Sequence, residues 1–537
     1  MGLNFIDYTI IVVYLVLFLG IGYLFQENKT SKDYFLGGRS LGWLPLSLST
    51  MATQLSAISF ISAPAFVGLK AGGGLQWLTY EFGVPLAMAF LMAVIIPTLY
   101  RSGVVSVYEF LEQRFDASSR VLISLVFQIS RSVATGVMVY TMALILQATM
   151  GLDFWISVLV IGCITMIYSF QGGMKAVIWG DVVQMVILFL GIVICMGYGL
   201  HALGGVEVFV DQVDTARLHP VDFEKWGFQN IAKNDEFGFW PMLIGGFFLY
   251  ASYYGTDQTQ SQRLLSSKDL GTIQKLLLAN GLFRFPVTLT YCIMGLVLGT
   301  LFIQDLAFQE VLERIYQTNI SVLEGKKADL MVPVFIIHYL PNGVMGILIV
   351  AILAAAMSSL SSTVNSLSAV TMEDFVKRLK PDWSNTHYVR YSRWISLFWG
   401  LVCLGFAFFA GTIQGTVIEV INKIGSVFFG PILAIFILAI RSKKTQALGA
   451  NTGLITGVAT NIYLWLFVPE VFWFWWNAIG CLVSLAVAAG VTALFPRSTQ
   501  SVEIPPLEFS KPLGWLLGYT VLIILLSMGL PLLIQGG

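Results

Sequence analysis

The stretch Ala354-Ala355-Ala356-Met357-Ser358-Ser359-Leu360-Ser361-Ser362-Thr363-Val364-Asn365-Ser366 lies inside an otherwise apolar run, 340–372. A run of that length is enough to cross a bilayer as a helix. With successive residues turned by roughly 100°, Ser358, Ser361, Ser362, Asn365 and Ser368 share one face. Lipid has no hydrogen bonds to offer that face, so it must meet protein or an ion. Packing through small residues is the bland account. Cation binding is the functional one, because hard cations take oxygen ligands.

The rest of the chain has the same character. Of its 537 residues, 57% are hydrophobic and 11% charged, against about 25% charged in soluble domains. Fourteen candidate spans can be marked: 6–26, 42–69, 76–99, 120–149, 152–170, 176–202, 238–262, 270–303, 340–372, 388–411, 413–440, 446–468, 471–495 and 512–534. The fold class is therefore an all-α polytopic membrane protein, set in a lipid bilayer. With the N-terminus outside, 20 of the 30 Lys and Arg fall on cytoplasmic segments and 7 on outer ones, while Arg131, Arg284 and Lys423 lie within spans. That asymmetry predicts a multi-pass protein of the cell membrane with both termini outside. Zero net charge argues against a nucleic-acid partner. The five cysteines all lie in apolar runs and read as buried small hydrophobes.

Spans two to eleven divide as five plus five. This gives an N-terminal helix and loop (1–41), a first repeat (42–202), an outer loop (203–237), a second repeat (238–440) and three peripheral helices (441–537). The first span of each half is interrupted. One carries Ser47, Ser49, Thr50, Thr53, Gln54, Ser56, Ser59 and Ser62; the other carries Gly245, Gly246, Ser252, Gly255 and Thr256. Broken helices at matching positions of two halves point to a transport site at mid-membrane.

A break at Ala52-Thr53-Gln54-Leu55-Ser56 frees main-chain carbonyls, and Ser358 and Ser359 add hydroxyls at similar depth, so sodium is the ion expected between them. Ser361, Ser362 and the intramembrane carboxylate Asp181 suggest a second cation. A dipole-favoured acid at a helix N-terminus is the competing reading of Asp181. Glu81 and Arg284 either neutralise each other or line a polar cavity. Arg131 either joins them or snorkels toward its span's end.

These residues and five motifs resemble the solute:sodium symporter family over about residues 6–445. The motifs are Asp33-Tyr34-Phe35-Leu36-Gly37-Gly38-Arg39-Ser40, Glu109-Phe110-Leu111-Glu112-Gln113-Arg114-Phe115, Gly172-Gly173-Met174-Lys175-Ala176-Val177-Ile178-Trp179, Gln258-Thr259-Gln260-Ser261-Gln262-Arg263 and the serine run. The resemblance implies a LeuT-like fold with two inverted five-helix repeats and alternating access. It places a common sodium site at the carbonyls of Ala52, Leu55 and Ala355 with the hydroxyls of Ser358 and Ser359. It places a second sodium at Asp181, Ser358, Ser361 and Ser362.

For the solute, the resemblance points to Gln54, Ser56, Ser59, Glu81, Arg131, Ala134, Tyr253, Arg284 and Asn422. Glu81 and Tyr253 match positions that hold sugar in the family's galactose transporter. Ala134 and Ser59 depart from that pattern, and Val370-Thr371-Met372-Glu373-Asp374 looks like the monocarboxylate and multivitamin branch. The expectation is sodium-coupled import of a small polar solute, with a sugar favoured and an organic anion (monocarboxylate, vitamin or sialic acid) as the alternative. A cation channel is the rival from another class. Zinc-protease, P-loop and nucleophile-elbow motifs are absent, so no enzyme is expected.

Overall fold

The computed structural model describes residues 3–25, 30–228, 236–318, 327–408, 410, 416–496, 506–507 and 510–535. Lys29, Lys233, Lys326 and Arg497, counted in the charge asymmetry, lie outside them. Among the described residues the fold is helical, apart from one isolated bridge between Leu41 and Ser267.

Nine of these helices are long and apolar enough to cross a bilayer, or ten if the bent pair Trp43–Gln54 and Ile58–Gly68 forms one span. The other four expected spans coincide with shorter or less apolar helices: Phe154–Ile167, the pair Phe239–Gly255 and Gln258–Leu265, Asn385–Ala407 and Ala447–Phe467. Each expected span thus has a helix at its place, while length and apolarity by themselves support ten.

Both interruptions are real breaks. Trp43–Gln54 ends at Leu55 (φ −81°, ψ 72°), and the next helix, Ala57–Gly68, is capped by the Ser56 side chain, which accepts from Ile58 N. The two halves bend by 52°. Phe239–Gly255 ends at Thr256, and Gln258–Leu265 begins under an Asp257 cap, with Thr259 N donating to Asp257 Oδ1 at 2.9 Å. A capping side chain replaces the missing helical acceptor, which lets a helix restart inside an apolar surround.

Helix Val344–Val370 carries the serine run and is buried on every side from Leu348 to Val370. It packs against both broken pairs and against the helices Ala117–Met150, Phe154–Leu203 and Asn385–Ala407. A helix buried on every side belongs in the centre of a bundle, and its hydroxyls must then find partners inside it. Close approach depends on glycine at two places. A Cβ on Gly299 would sit 2.6 Å from Gly68 O, so helices 57–68 and 270–304 touch backbone to backbone. Gly173 has φ +58°, and a Cβ there would lie 2.7 Å from Tyr34 O. That residue divides Phe154–Leu203 into the two expected spans.

Several motif residues act as structural ties. Thr30 and Asp33 form a capping box, and Gly37 and Gly38 take left-handed turns after it. Arg120 joins Asp374 and Glu112, each at 2.7 Å, while Ser106 and Ser124 also donate to Asp374. Gln262 reaches Phe35 O at 2.6 Å and Asn365 Oδ1 at 2.7 Å. Four cysteines are buried as expected; Cys163 is exposed on the outer face of its helix, which corrects that reading.

Candidate ion and solute site

The first break and the serine helix meet at one cavity. Gln54 and Ser56 from the break and Ser359 and Thr363 from the serine helix line it together. Ala52, Leu55, Ala355, Ser358 and Ser359 are all buried, at 7% exposure or less, so the two serines face protein and not lipid. Ala52 lies in the last turn of its helix, where carbonyls lack intrahelical donors. Past the break, the N–H groups of Ser59 and Phe60 both turn to Ser56 O, at 2.9 and 3.3 Å, and neither reaches back to Leu55. The Ser359 hydroxyl makes only a long bond to Ala355 O, at 3.3 Å. Hydroxyls and free carbonyls are the donor types a hard monovalent cation takes, and of the five residues Ser359 lines the cavity.

The residues expected around a second ion also converge, but on an arginine. Asp181 is fully buried and accepts from Ser358 Oγ and Ser49 Oγ, both at 2.5 Å, and from Arg263 Nη2 at 2.7 Å. Arg263 Nη2 also donates to Ser362 Oγ at 2.5 Å, and Ser361 Oγ donates to Ser358 O at 2.9 Å. Asp181 lies eight residues beyond the kink at Gly173 and has a charged partner, so it is no mere helix-terminal acid.

Eight of the nine expected solute residues line the same cavity of about 140 Å³: Gln54, Ser56, Ser59, Arg131, Ala134, Tyr253, Arg284 and Asn422. Glu81 stands behind it, held by Arg284 through two bonds of 3.1 Å and by Thr288 Oγ1 at 3.1 Å. Arg131 does not snorkel. Its Nε donates to Asp257 Oδ2 at 2.5 Å, and its guanidinium carbon lies 4.7 Å from the Tyr253 ring centroid and 5.5 Å from that of Phe429. Gln54 accepts from the Tyr254 hydroxyl, and Asn422 Nδ2 donates to Ile418 O at 2.7 Å. Two guanidinium nitrogens beside the cavity, Arg131 Nη2 and Arg284 Nη1, are buried and have no acceptor among the described residues.

Sequence reasoning missed Asp257, Phe429 and the place of Arg263. Asp257 and Arg263 both flank or end the quoted Gln258–Arg263 motif. An intramembrane carboxylate is a site candidate by default, and that signal was available for Asp257. Phe429 gave no such signal.

Known proteins resemble this chain over most of its length. A sodium-coupled monocarboxylate transporter 2 from Danio rerio is 29% identical over 465 residues, covering 85% of this chain and 71% of that protein. The sodium/iodide cotransporter of Homo sapiens is 28% identical over 505 residues, covering 93% of this chain and 72% of that protein. A putative sodium-dependent multivitamin transporter from Drosophila melanogaster is 28% identical over 488 residues, covering 86% and 75%. Among solved structures, a substrate-bound outward-open Na+-coupled sialic acid symporter superposes with a TM-score of 0.78 at 26% identity, over 93% of this chain and all of that one. The fold is therefore the LeuT-like fold of such transporters. A family model described as the sodium:solute symporter family matches residues 34–457, and the chain belongs to that family.

Proposed function

We propose that the protein couples inward sodium movement to uptake of a small organic anion, with a monocarboxylate as the leading candidate. The observation that carries this reading is the pair of acceptor-free guanidinium nitrogens, Arg131 Nη2 and Arg284 Nη1, beside one cavity. Charge-assisted bonds from guanidinium to a carboxylate are about twice as strong as neutral ones. Each arginine already has a carboxylate partner, Asp257 or Glu81, so the cavity is close to neutral before anything binds. A sodium ion at the common site then adds one positive charge, and an anionic solute balances it. At an effective dielectric of ~20, charges ~5 Å apart attract by about 3 kcal/mol, which reaches the upper end of typical coupling energies.

The sugar reading loses its main acceptor. Glu81 already accepts three bonds from Arg284 and Thr288 and does not line the cavity. The named relatives that carry monocarboxylates or iodide point the same way. In the proposed arrangement, Ala52, Leu55, Ala355, Ser358 and Ser359 hold the sodium, and the repeats 42–202 and 238–440 move about it, with both chain termini outside the cell.

Proteoliposomes test the reading. Saturable uptake of a small monocarboxylate that needs an inward sodium gradient is the expected result. Uptake of neutral sugars with no response to monocarboxylates would overturn the anion assignment. Ser359→Ala should abolish sodium-dependent uptake while the protein still inserts; normal uptake by that variant would remove the common-site assignment.

A further inference from the structure

The pocket expected for a second sodium ion encloses a side chain. Arg263 is 1% exposed and spends its guanidinium on four acceptors. Nη2 donates to Asp181 Oδ2 (2.7 Å) and Ser362 Oγ (2.5 Å), Nε to Ser49 Oγ (2.8 Å) and Nη1 to Thr259 O (2.5 Å). The Ser358 hydroxyl points its proton at the other Asp181 oxygen. A sodium ion at this place needs the Asp181 carboxylate and the Ser362 hydroxyl as acceptors. The guanidinium holds one oxygen of that carboxylate, Oδ2, and the Ser362 hydroxyl. A sodium ion at that carboxylate would lie close to the Arg263 charge, and the two cations compete for it in so buried a place.

The position of Arg263 gives this competition a mechanical consequence. It lies in the last turn of the short helix Gln258–Leu265. The cap of the same helix, Asp257, is the partner of Arg131 at the solute cavity. One helix of eight residues, about 12 Å long, therefore joins the Asp181 centre to the solute centre.

We propose that Arg263 is a tethered cation that competes with sodium for Asp181 and Ser362. The guanidinium closes the site when no metal is there, and sodium enters only as Arg263 withdraws. Withdrawal frees the Gln258–Leu265 helix from Ser49, Asp181 and Ser362 at one end while Asp257 remains tied to Arg131 at the other. Ion occupancy and the solute cavity are then linked through one rigid element. This inference rests on the sodium-symport reading above. The competing account is a permanent structural ion pair, which takes no part in ion binding.

Sodium titration of uptake in proteoliposomes separates the two, using the full chain and its variants. Arg263→Gln leaves Asp181 without its resident cation, and the half-saturating sodium concentration should fall by about tenfold or more. Asp181→Asn in that background should cancel the gain. Arg263→Gln strands a buried carboxylate, which lowers the yield of folded protein, so Ser49→Ala provides the second arm. It removes one acceptor of the arginine but none of the expected sodium ligands, and should lower the half-saturating concentration by a smaller factor, about threefold. With sodium alone as ligand, thermal unfolding should show greater sodium-dependent stabilisation for both variants than for the unmutated chain. Unchanged or raised half-saturating sodium in both variants, with the unmutated chain still sodium-dependent, overturns the competition and leaves the function reading intact. Uptake by the unmutated chain that ignores sodium sinks both.

Discussion

Two arginines border the same cavity, and their carboxylate partners hold them differently. Arg284 meets Glu81 fork to fork, through Nε and Nη2, with Thr288 adding a third bond to the carboxylate. Both side chains are at most 2% exposed. Arg131 meets Asp257 through Nε alone, is 14% exposed, and lies against the adjacent rings of Tyr253 and Phe429. Asp257 has a second stabiliser, the N-terminus of the helix it caps. Glu81 has none of that kind, since it sits within the helical turn Leu75–Phe82. The first pair is a fixed girder with one spare nitrogen. The second is an arm, tied by one bond to a carboxylate that also caps a helix.

The contrast predicts opposite failures. Glu81→Ala strands a fully buried guanidinium, and breaking a buried pair in this way costs about 3–5 kcal/mol. The expected outcome is loss of folded protein, read by detergent thermal unfolding and yield. Glu81→Ala with Arg284→Met should recover much of that stability, since removing both charges is far milder than removing one. Full stability of the single variant would show that Glu81 is not a girder. Arg131→Gln should behave in the reverse sense. The helix cap supports Asp257, so the protein should still fold. Losing a charged hydrogen bond to the solute should reduce the uptake kcat/KM by about 2–3 kcal/mol, or roughly 30- to 150-fold. Unaltered uptake of the preferred anion by that variant would remove Arg131 from the solute site.

The sequence carried the scaffold further than the site. Both breaks were legible because hydroxyls and glycines interrupt apolar runs at Thr53–Ser56 and Gly255–Thr256, and helices end where those residues cluster. The serine face was legible because helical spacing alone sets it, and the face is buried throughout. Mutual neutralisation of Glu81 and Arg284 was one of two open readings, and the pair forms. What stayed hidden were partners distant in the chain. Arg131 and Asp257 are 126 residues apart, and Arg263 and Asp181 are 82 apart. Periodicity fixes which face a residue occupies, not which other face it meets. The snorkelling alternative for Arg131 failed for that reason, because its span end was visible in the sequence and its acceptor was not.

The girder and the arm also differ in what trims them at the margin. Tyr253→Leu removes the nearer of the two rings beside the Arg131 guanidinium, an interaction worth about 0.5–2 kcal/mol. Its effect should appear in solute KM, raised by roughly 2- to 30-fold, with little change in unfolding temperature. Thr288→Val removes one neutral donor from a carboxylate that keeps two bonds to Arg284. Its effect should appear in stability, at about 1 kcal/mol, with solute KM unmoved, because Glu81 and Thr288 both stand behind the cavity wall. If Thr288→Val shifted KM and Tyr253→Leu shifted only stability, the roles of the two pairs would have to be exchanged, and Arg284 would become the arm that meets the solute.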